Sequence, residues 1–277
     1  MITIQNIRFG YPKSATLFTD MSFAIKKGGI YGLLGKNGAG KTSLLKILSG
    51  LVFPQSGSCT VLDEVPSYRH PDFLANVYLL PEDLYVPPIT AQEFCRCYAP
   101  FYSAFDNSIY QDAAKQFEIP DDKCLTEMSH GQKKKFLIAF GIATKARLFI
   151  MDEPTNGLDI PSKTLFRQLL ATHFSDDRIF IISTHQVHDI QNLIDHIILL
   201  DCGNIIFNHA IVDVAQKLTF TRQTQQPEPQ SCLYYEKQLG GYMVIAENTS
   251  THETEIDLEV LFNALSTNTL AFEKLLA

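Results

Sequence analysis

Residues 35–42 read GKNGAGKT, a glycine-rich segment with the residue types needed to bind phosphate groups. Glycines allow the backbone to turn with its N–H groups pointing towards an anion. Lys41 can neutralise charge on the β- and γ-phosphates of a nucleotide, and the hydroxyl of Thr42 can bind Mg²⁺. The segment therefore predicts a nucleotide-binding loop; the alternative is a tight turn that binds no ligand. The residues predicted to contact the nucleotide here are Gly35, Asn37, Gly38, Ala39, Gly40, Lys41, Thr42 and Ser43.

Two adjacent carboxylates, Asp152 and Glu153, follow four apolar residues at positions 148–151. Such a run predicts a buried strand, and ligands gather at the carboxyl ends of strands in open α/β sheets. Asp152 is expected to hold Mg²⁺, directly or through water. Glu153 is expected to orient and polarise an attacking water molecule. A helix or turn cap is the alternative role for this pair.

The elements that must position these residues alternate along the chain. Apolar and β-branched runs predict strands, and apolar residues at helical spacing predict helices. Because strands and helices alternate, the fold class is α/β, with a mostly parallel sheet and helices on its faces. The predicted strands are 2–9, 21–25, 30–34, 148–151, 179–183 and 197–200. The first predicted helix runs from 41 to about 50. The other predicted helices are 90–100, 108–117, 133–144, 162–173 and 187–194.

The character of the sequence changes near residue 223. Residues 223–230 are polar and contain proline, which is typical of a linker. Beyond it, strands are predicted at 232–238 and 242–248, joined through a hairpin at 239–241, and a helix at 256–265. We therefore expect a nucleotide-binding domain at 1–220, with a helical part at about 84–130, and a small appendage at 221–277.

Composition restricts the class of protein. The 277 residues carry a net charge of -7, which argues against DNA or RNA as the main partner because phosphate binding needs a basic surface. No apolar run reaches the roughly 18 residues of a membrane span, and the N-terminus lacks a signal pattern. The six cysteines have no CxxC spacing and are best explained as small buried apolar side chains in a reducing compartment. We expect a soluble chain, or one held at a membrane by another protein.

Three further segments resemble motifs of the ABC ATPases, in the right order along residues 1–220. Residues 128–132, MSHGQ, are similar to the LSGGQ signature, and residues 156–159, NGLD, are similar to the D-loop. Residues 183–185, STH, resemble the segment with the switch histidine, although His185 alone is equally well explained as an ordinary capped histidine. Tyr11 lies where the family places an aromatic side chain that stacks on adenine, and Phe9 is a nearby alternative.

The resemblance implies a phosphate-loop fold of ABC type. This fold has a mostly parallel sheet with flanking helices, an antiparallel N-terminal β part and a helical subdomain; the small C-terminal α/β appendage is expected beside it. It also implies that two such domains pair head to tail. The signature of one then meets the ATP bound by the other. The binding residues implied by this pairing are Ser129, Gly131, Gln132 and Asp159; the implied catalytic residues are Glu153, His185 and Lys41.

The sequence departs from the family pattern at two positions. His130 stands in the signature where the family usually has glycine, so its side chain can alter the fit or the pH response. Glu82 stands where the family usually has the Q-loop glutamine. A glutamate there can still reach Mg²⁺ or its water, together with Thr42 and Asp152. A solvated loop acid is the alternative for Glu82.

The expected function is that of an ATP-binding and ATP-hydrolysing subunit of an ABC transporter, using ATP and Mg²⁺. It would lie at the cytoplasmic face of the cell membrane, bound to a separate transmembrane permease, as a homodimer or a heterodimer with a second ATPase. The LLPED form of residues 79–83 and the small appendage favour export. The helices near residues 87–94 are where a permease segment is expected to dock. No nucleic acid is expected as a partner.

Two other classes remain open from the sequence. A soluble ABC-class ATPase acting on nucleic acid or ribosomes usually has long coiled-coil insertions or tandem nucleotide domains, and neither is found here. A phosphate-loop kinase shares the glycine-rich loop, but the signature and residues 183–185 argue against it.

Overall fold

The computed structural model of the chain describes residues 1–12, 15–120, 122–228, 230–249 and 254–276. The strands are β1 (Ile2–Phe9), β2 (Phe18–Ile25), β3 (Gly29–Leu34), β4 (Ser56–Val61), β5 (Val77–Leu80), β6 (Leu148–Asp152), β7 (Ile179–Thr184), β8 (His196–Asp201), β9 (Asn204–Ala210), β10 (Leu218–Gln223), β11 (Tyr234–Gln238) and β12 (Gly241–Glu247). The helices are α1 (Lys41–Leu48), α2 (Pro71–Ala75), α3 (Ala91–Tyr98), α4 (Asn107–Gln116), α5 (His130–Ala143), α6 (Ile160–Thr172), α7 (Ile211–Lys217) and α8 (Leu258–Leu276). Within these described ranges, no helix is long and apolar enough to cross a bilayer.

The central sheet has six strands in the order β5-β6-β7-β3-β8-β9. Its pairs are parallel except for β8 and β9, which form an antiparallel pair at one edge. Every residue of β3, β6 and β7 is buried, as expected for strands covered on both faces, and this burial explains their continuous apolar runs. The predicted α/β fold with a mostly parallel sheet is confirmed.

The register of this sheet brings three chain segments to one edge. Leu34 at the end of β3 pairs with Thr184 at the end of β7. Asp152 at the end of β6 pairs with Ser183. The phosphate loop after β3, the acidic pair at the end of β6 and the histidine after β7 therefore emerge next to one another.

The N-terminal β part is a separate antiparallel sheet with the order β2-β1-β4. Ile2 pairs with Ile25 on one side and with Val61 on the other. Ile2, Ile4, Ile7 and Phe9 of β1 are buried, so the sheet turns one apolar face towards α1 and the central sheet. This arrangement matches the antiparallel part that the family resemblance implied.

The helical region contains α3, α4 and α5 and follows β5. A capping box formed by Thr90 and Glu93 starts α3, and Asp106 caps the first turn of α4. The Phe94 ring meets the rings of Phe136 and Phe140 edge-on at centroid distances of 5.1 Å. These aromatic contacts join α3 to α5, the helix that begins at the signature.

The C-terminal segment forms a three-stranded antiparallel sheet, β10-β12-β11, followed by α8. The predicted hairpin joins β11 to β12, where Gln238 pairs with Gly241. Helix α8 packs on the central sheet through buried leucines, among them Leu258 and Leu261. The division of the chain at residue 220 stays a prediction; that position lies inside β10.

Several element predictions were wrong or incomplete. The helix predicted at 187–194 is instead a single 3-10 turn, Val187–Asp189, followed by further turns. Its apolar residues have helical spacing, but they are buried by a turn that Lys163 anchors through a 2.7 Å bond to Asp189. Strands β4, β5, β9 and β10 and helices α2 and α7 were not predicted, and α8 extends well beyond residue 265. Of the predicted linker 223–230, Pro229 lies outside the described residues.

We expect Leu261→Ala to lower the free energy of unfolding by about 2–5 kcal/mol, because the truncation leaves a cavity in a packed core. Leu261 is 1% exposed and lines the contact between α8 and the central sheet, together with Leu34 and Ile197. Chemical denaturation followed by circular dichroism measures the change. If α8 belonged to an independent unit, the main unfolding transition would stay where it is in the unchanged chain.

Candidate nucleotide-binding site

The phosphate loop joins the end of β3 to the start of α1. Gly38 and Gly40 have φ angles of 81° and 110°, in the region that side chains disfavour, so these two positions require glycine. The Lys41 side chain folds back over the loop. Its ammonium group donates hydrogen bonds to the carbonyl oxygens of Gly35 at 2.7 Å and Lys36 at 3.3 Å. The ammonium group is therefore held near the N-terminus of α1, where phosphate binding is favoured.

The Lys41 charge lies among acidic groups. Burial lowers the pKa of Lys41, and the carboxylates of Glu153, Asp152 and Glu82 counter that effect. Only 7% of Lys41 is exposed, so a bound phosphate would meet this ammonium largely out of water. Charge-assisted hydrogen bonds are strongest in such surroundings.

Thr42 and Asp152 meet although they are far apart in the chain. The Thr42 hydroxyl donates to Asp152 Oδ2 at 2.6 Å, and the Ser183 hydroxyl donates to Asp152 Oδ1. A hydroxyl next to a carboxylate is the type of oxygen donor set that Mg²⁺ prefers. Two of the three residues predicted to hold the metal ion, Thr42 and Asp152, are therefore adjacent, and their chemistry fits it.

The Glu153 carboxylate is buried and held from three directions. Oε1 accepts from the backbone N–H of His185 at 3.1 Å and lies 2.7 Å from His185 Nδ1. Oε2 accepts from the Thr184 hydroxyl at 3.1 Å. The Glu153 backbone has a φ of 47°, an uncommon value for a residue other than glycine. A carboxylate fixed in this way is suited to orient one water molecule.

These residues line one cleft of about 510 Å³. The cleft also contains Glu82, so this exposed loop acid faces the same space as the phosphate loop. Tyr11 lies on the cleft wall, 40% exposed, with its hydroxyl 3.3 Å from Ser43 Oγ. Phe9 meets the Tyr11 ring edge-on but is only 5% exposed, which leaves Tyr11 as the aromatic side chain that a base can reach. The full lining is Tyr11, Leu17, Asn37, Gly38, Gly40, Lys41, Thr42, Ser43, Glu82, Asp152, Glu153 and His185.

The signature residues do not line this cleft. Ser129 caps α5: its hydroxyl accepts from the Gln132 N–H at 3.2 Å, and the Gln132 side chain accepts from the Ser129 N–H at 3.0 Å. A side-chain carbon at Gly131 would lie 2.9 Å from the carbonyl oxygen of Gly157 in the D-loop. Asp159 caps α6 by accepting from the Ser162 N–H at 2.8 Å. The signature and the D-loop thus pack against each other, away from the phosphate loop of the same chain.

Some residues of the site were not predicted as members of it. Ser183 and Thr184 supply hydroxyl donors to Asp152 and Glu153. Their position directly before His185 was a signal that could have identified them. Leu17 lines the cleft without any distinctive pattern. Lys134 bonds the Glu153 carbonyl oxygen, and nothing distinguishes it in sequence from the lysines on either side.

Comparisons with known proteins agree with this geometry. The model of the ABC transporter family matches residues 18–156. The chain is 30% identical over 188 residues to the ABC transporter ATP-binding protein YtrB of Bacillus subtilis (strain 168), an alignment that covers 67% of this chain and 64% of YtrB. It is 31% identical over 213 residues to the SkfA peptide export ATP-binding protein SkfE of the same strain, covering 74% of this chain and 87% of SkfE.

A solved structure shares the fold. The dimeric structure of a post-hydrolysis state of the ATP-binding cassette MJ0796, bound to ADP and Pi, matches with a TM-score of 0.67 and 20% identity. The match covers 76% of this chain and 99% of that one. The phosphate loop, the acidic pair, the family match and the shared fold all lead to one assignment. The chain belongs to the ABC transporter family, as an ATP-binding subunit whose ATPase activity drives transport.

Proposed function

We propose that two nucleotide-binding subunits, this chain being one, close head to tail around two ATP molecules and so drive export through a separate membrane permease. The main support for this proposal is that the residues of the predicted site lie on two separate surfaces of the chain. Lys41 and Glu153 lie in the cleft, whereas Ser129 and Gly131 lie outside it. A second subunit turned to face the first would place its signature over that cleft.

Each group in the cleft has a role in this mechanism. Lys41 binds the β- and γ-phosphates. Thr42 and Asp152 would hold Mg²⁺, and Glu82 would reach the ion or its water; a bound ion would supply positive charge next to the transferring phosphoryl group. Glu153 orients the attacking water, and His185 hydrogen-bonds the γ-phosphate. The ring of Tyr11 stacks on the adenine.

The partner's signature completes the site. In each subunit, Ser129, Gly131 and Gln132 contact the γ-phosphate of the ATP bound by the other subunit. Asp159, from the neighbouring D-loop, contacts the same nucleotide. ATP then contributes contacts across the interface that ADP and phosphate do not, so hydrolysis releases the closed state. The chain carries every motif, which supports a homodimer; a heterodimer with a second ATPase satisfies the same geometry.

The permease is proposed to dock on the helical region. A cavity of about 820 Å³ lies between α3 and α4, lined in part by Gln92, Arg96 and Tyr110. Exposed aromatic side chains lie on either side of α3: Tyr85 is 87% exposed and Phe101 is 69% exposed. A permease segment packed here would remove these side chains from water together with the lining of the cavity. Residues 87–94, predicted to line the permease contact, lead into this helix.

Docking there would hold the chain at the cytoplasmic face of the membrane as a peripheral subunit. Export is the proposed direction because relatives carry export functions in their names. SkfE is a peptide export ATP-binding protein, and a further relative, from Cupriavidus metallidurans, is Nod factor export ATP-binding protein I.

Capture of the tagged Glu153→Gln chain from detergent-solubilised native membranes, with ATP present, tests the proposal. We expect a protein with several membrane spans to co-purify with it. Recovery from the soluble fraction alone, with ribosomes, nucleic acid or no partner, would contradict the transporter assembly and favour a soluble ATPase of the same family.

A further inference from the structure

Lys134 has no exposed surface, and the mechanism above gives it no role. It lies in α5, the helix capped by the signature residue Ser129. Its ammonium group donates a 2.9 Å hydrogen bond to the main-chain carbonyl oxygen of Glu153. A buried lysine is costly unless its charge is compensated, so an apolar residue would be the simpler choice at this position.

The Lys134 charge acts on the acidic side of the cleft. Burial lowers the pKa of Lys134, and the carboxylates of Glu82, Glu153 and Asp152 counter that effect. The same three carboxylates act on Lys41. Lys41 is available to phosphate, whereas Lys134 is sealed inside the protein, so Lys134 compensates this acidic group without binding ATP.

The backbone of Glu153 shows what the hydrogen bond can do. Its φ of 47° is rare for a residue with a side chain. In this conformation the carbonyl oxygen accepts from Lys134, while the carboxylate accepts from Thr184 and from the His185 N–H. Without the ammonium group, the carbonyl would lose a charge-assisted donor, and the peptide could rotate towards a commoner conformation.

We propose that Lys134 is a positioning residue for ATP hydrolysis. It holds the Glu153 main chain so that the carboxylate stays aimed at the attacking water. This inference rests on the proposed role of Glu153 in hydrolysis. Because Ser129 begins the same helix, Lys134 also joins the signature helix of each subunit to the hydrolytic carboxylate of that subunit.

Steady-state ATPase kinetics of the full chain with Lys134→Met test the proposal. Methionine keeps the length of the apolar stem but removes the charge and the donor. We expect kcat to fall by about tenfold or more, with KM for ATP changed by no more than about twofold. Because removing one partner of a buried group of charges is destabilising, each rate is measured at a temperature at which circular dichroism shows the variant to be fully folded.

Two further variants separate positioning from packing. Lys134→Arg keeps charge and donors and should recover part of the lost kcat. Lys133→Met, on the neighbouring partly buried lysine of α5, is the matched control and should behave as the unchanged chain. An unchanged kcat in folded Lys134→Met, or a lost kcat that Lys134→Arg does not raise at all, would overturn the proposal. If Lys134→Met does not fold, Lys134→Leu, which also removes the charge and the donor, takes its place under the same criteria.

A double variant distinguishes this inference from the role of Glu153 itself. In a Glu153→Gln background, Lys134→Met should lower the residual rate by no more than about twofold, because the carboxylate it positions is already absent. An equal loss in both backgrounds would show that Lys134 acts elsewhere. If Glu153→Gln alone keeps the full rate, the proposed function fails, and that result does not depend on Lys134.

Discussion

Glu153→Gln is expected to lower the steady-state rate of ATP hydrolysis by about 10²–10⁴-fold, the usual contribution of a general base. The amide keeps the shape of the side chain but cannot accept a proton from water. ATP binding should be retained, because the substitution leaves the Lys41 ammonium group and the phosphate loop that holds it unchanged. The ATP-bound dimer should therefore accumulate. Phosphate-release kinetics and size-exclusion chromatography with and without ATP measure the two effects.

The matched control is Glu247→Gln, an exposed carboxylate at the end of β12, which should leave both rate and assembly unchanged. Hydrolysis at the full rate in Glu153→Gln would show that another group orients the water. Loss of ATP binding in the same variant would instead give Glu153 a role in holding the nucleotide.

Lys41→Ala should weaken ATP binding by about 30- to 3,000-fold. Removing one partner of a buried, hydrogen-bonded charge pair costs about 2–5 kcal/mol, and each 1.4 kcal/mol is roughly a tenfold change in affinity. Lys41 is nearly buried and holds its ammonium group over the loop, so few other groups can replace it. Isothermal titration calorimetry with a slowly hydrolysed ATP analogue measures the affinity.

Lys46→Ala is the control for this variant, because Lys46 lies in the same helix but is partly exposed in its last turn. Its affinity for the analogue should stay close to that of the unchanged chain. Equal losses in the two variants would mean that general positive charge, rather than a placed ammonium group, governs binding.

Much of the fold could be predicted because its strongest elements carry local signals. The run at 148–151 is apolar throughout and is followed by two acids, a pattern typical of a buried strand of an α/β sheet with acids at its carboxyl end. The hairpin at Gly240 and Gly241 has equally local turn chemistry.

The wrong predictions concern segments whose conformation depends on distant partners. Residues 187–194 have the spacing of a helix, but the interaction of Asp189 with Lys163 fixes a turn there. In the same turn, His188 Nε2 lies 2.7 Å from Oε2 of Glu259 in α8. Strand β9 carries few buried residues, because it is an edge strand whose position is set by pairing with β8. No local pattern encodes such pairings.

The candidate site divides in the same way. The residues of the phosphate loop and the acidic pair were identifiable, because their types and spacing are dictated by phosphate and metal chemistry. The contact of Lys134 with the Glu153 carbonyl was not, because a main-chain acceptor leaves no mark on the sequence. The roles assigned to Ser129, Gly131 and Asp159 across a dimer stay predictions.

The close approach of Gly131 to the Gly157 carbonyl oxygen gives the signature a second constraint. Any side chain at position 131 would push the signature away from the D-loop within the same subunit, whether or not a nucleotide is bound. The fit of the two loops thus requires glycine at this position, independently of the proposed approach of its backbone to the phosphate bound by the other subunit. The sequence of the signature, which is usually explained by ligand binding alone, is therefore also constrained by how the signature packs within its own subunit.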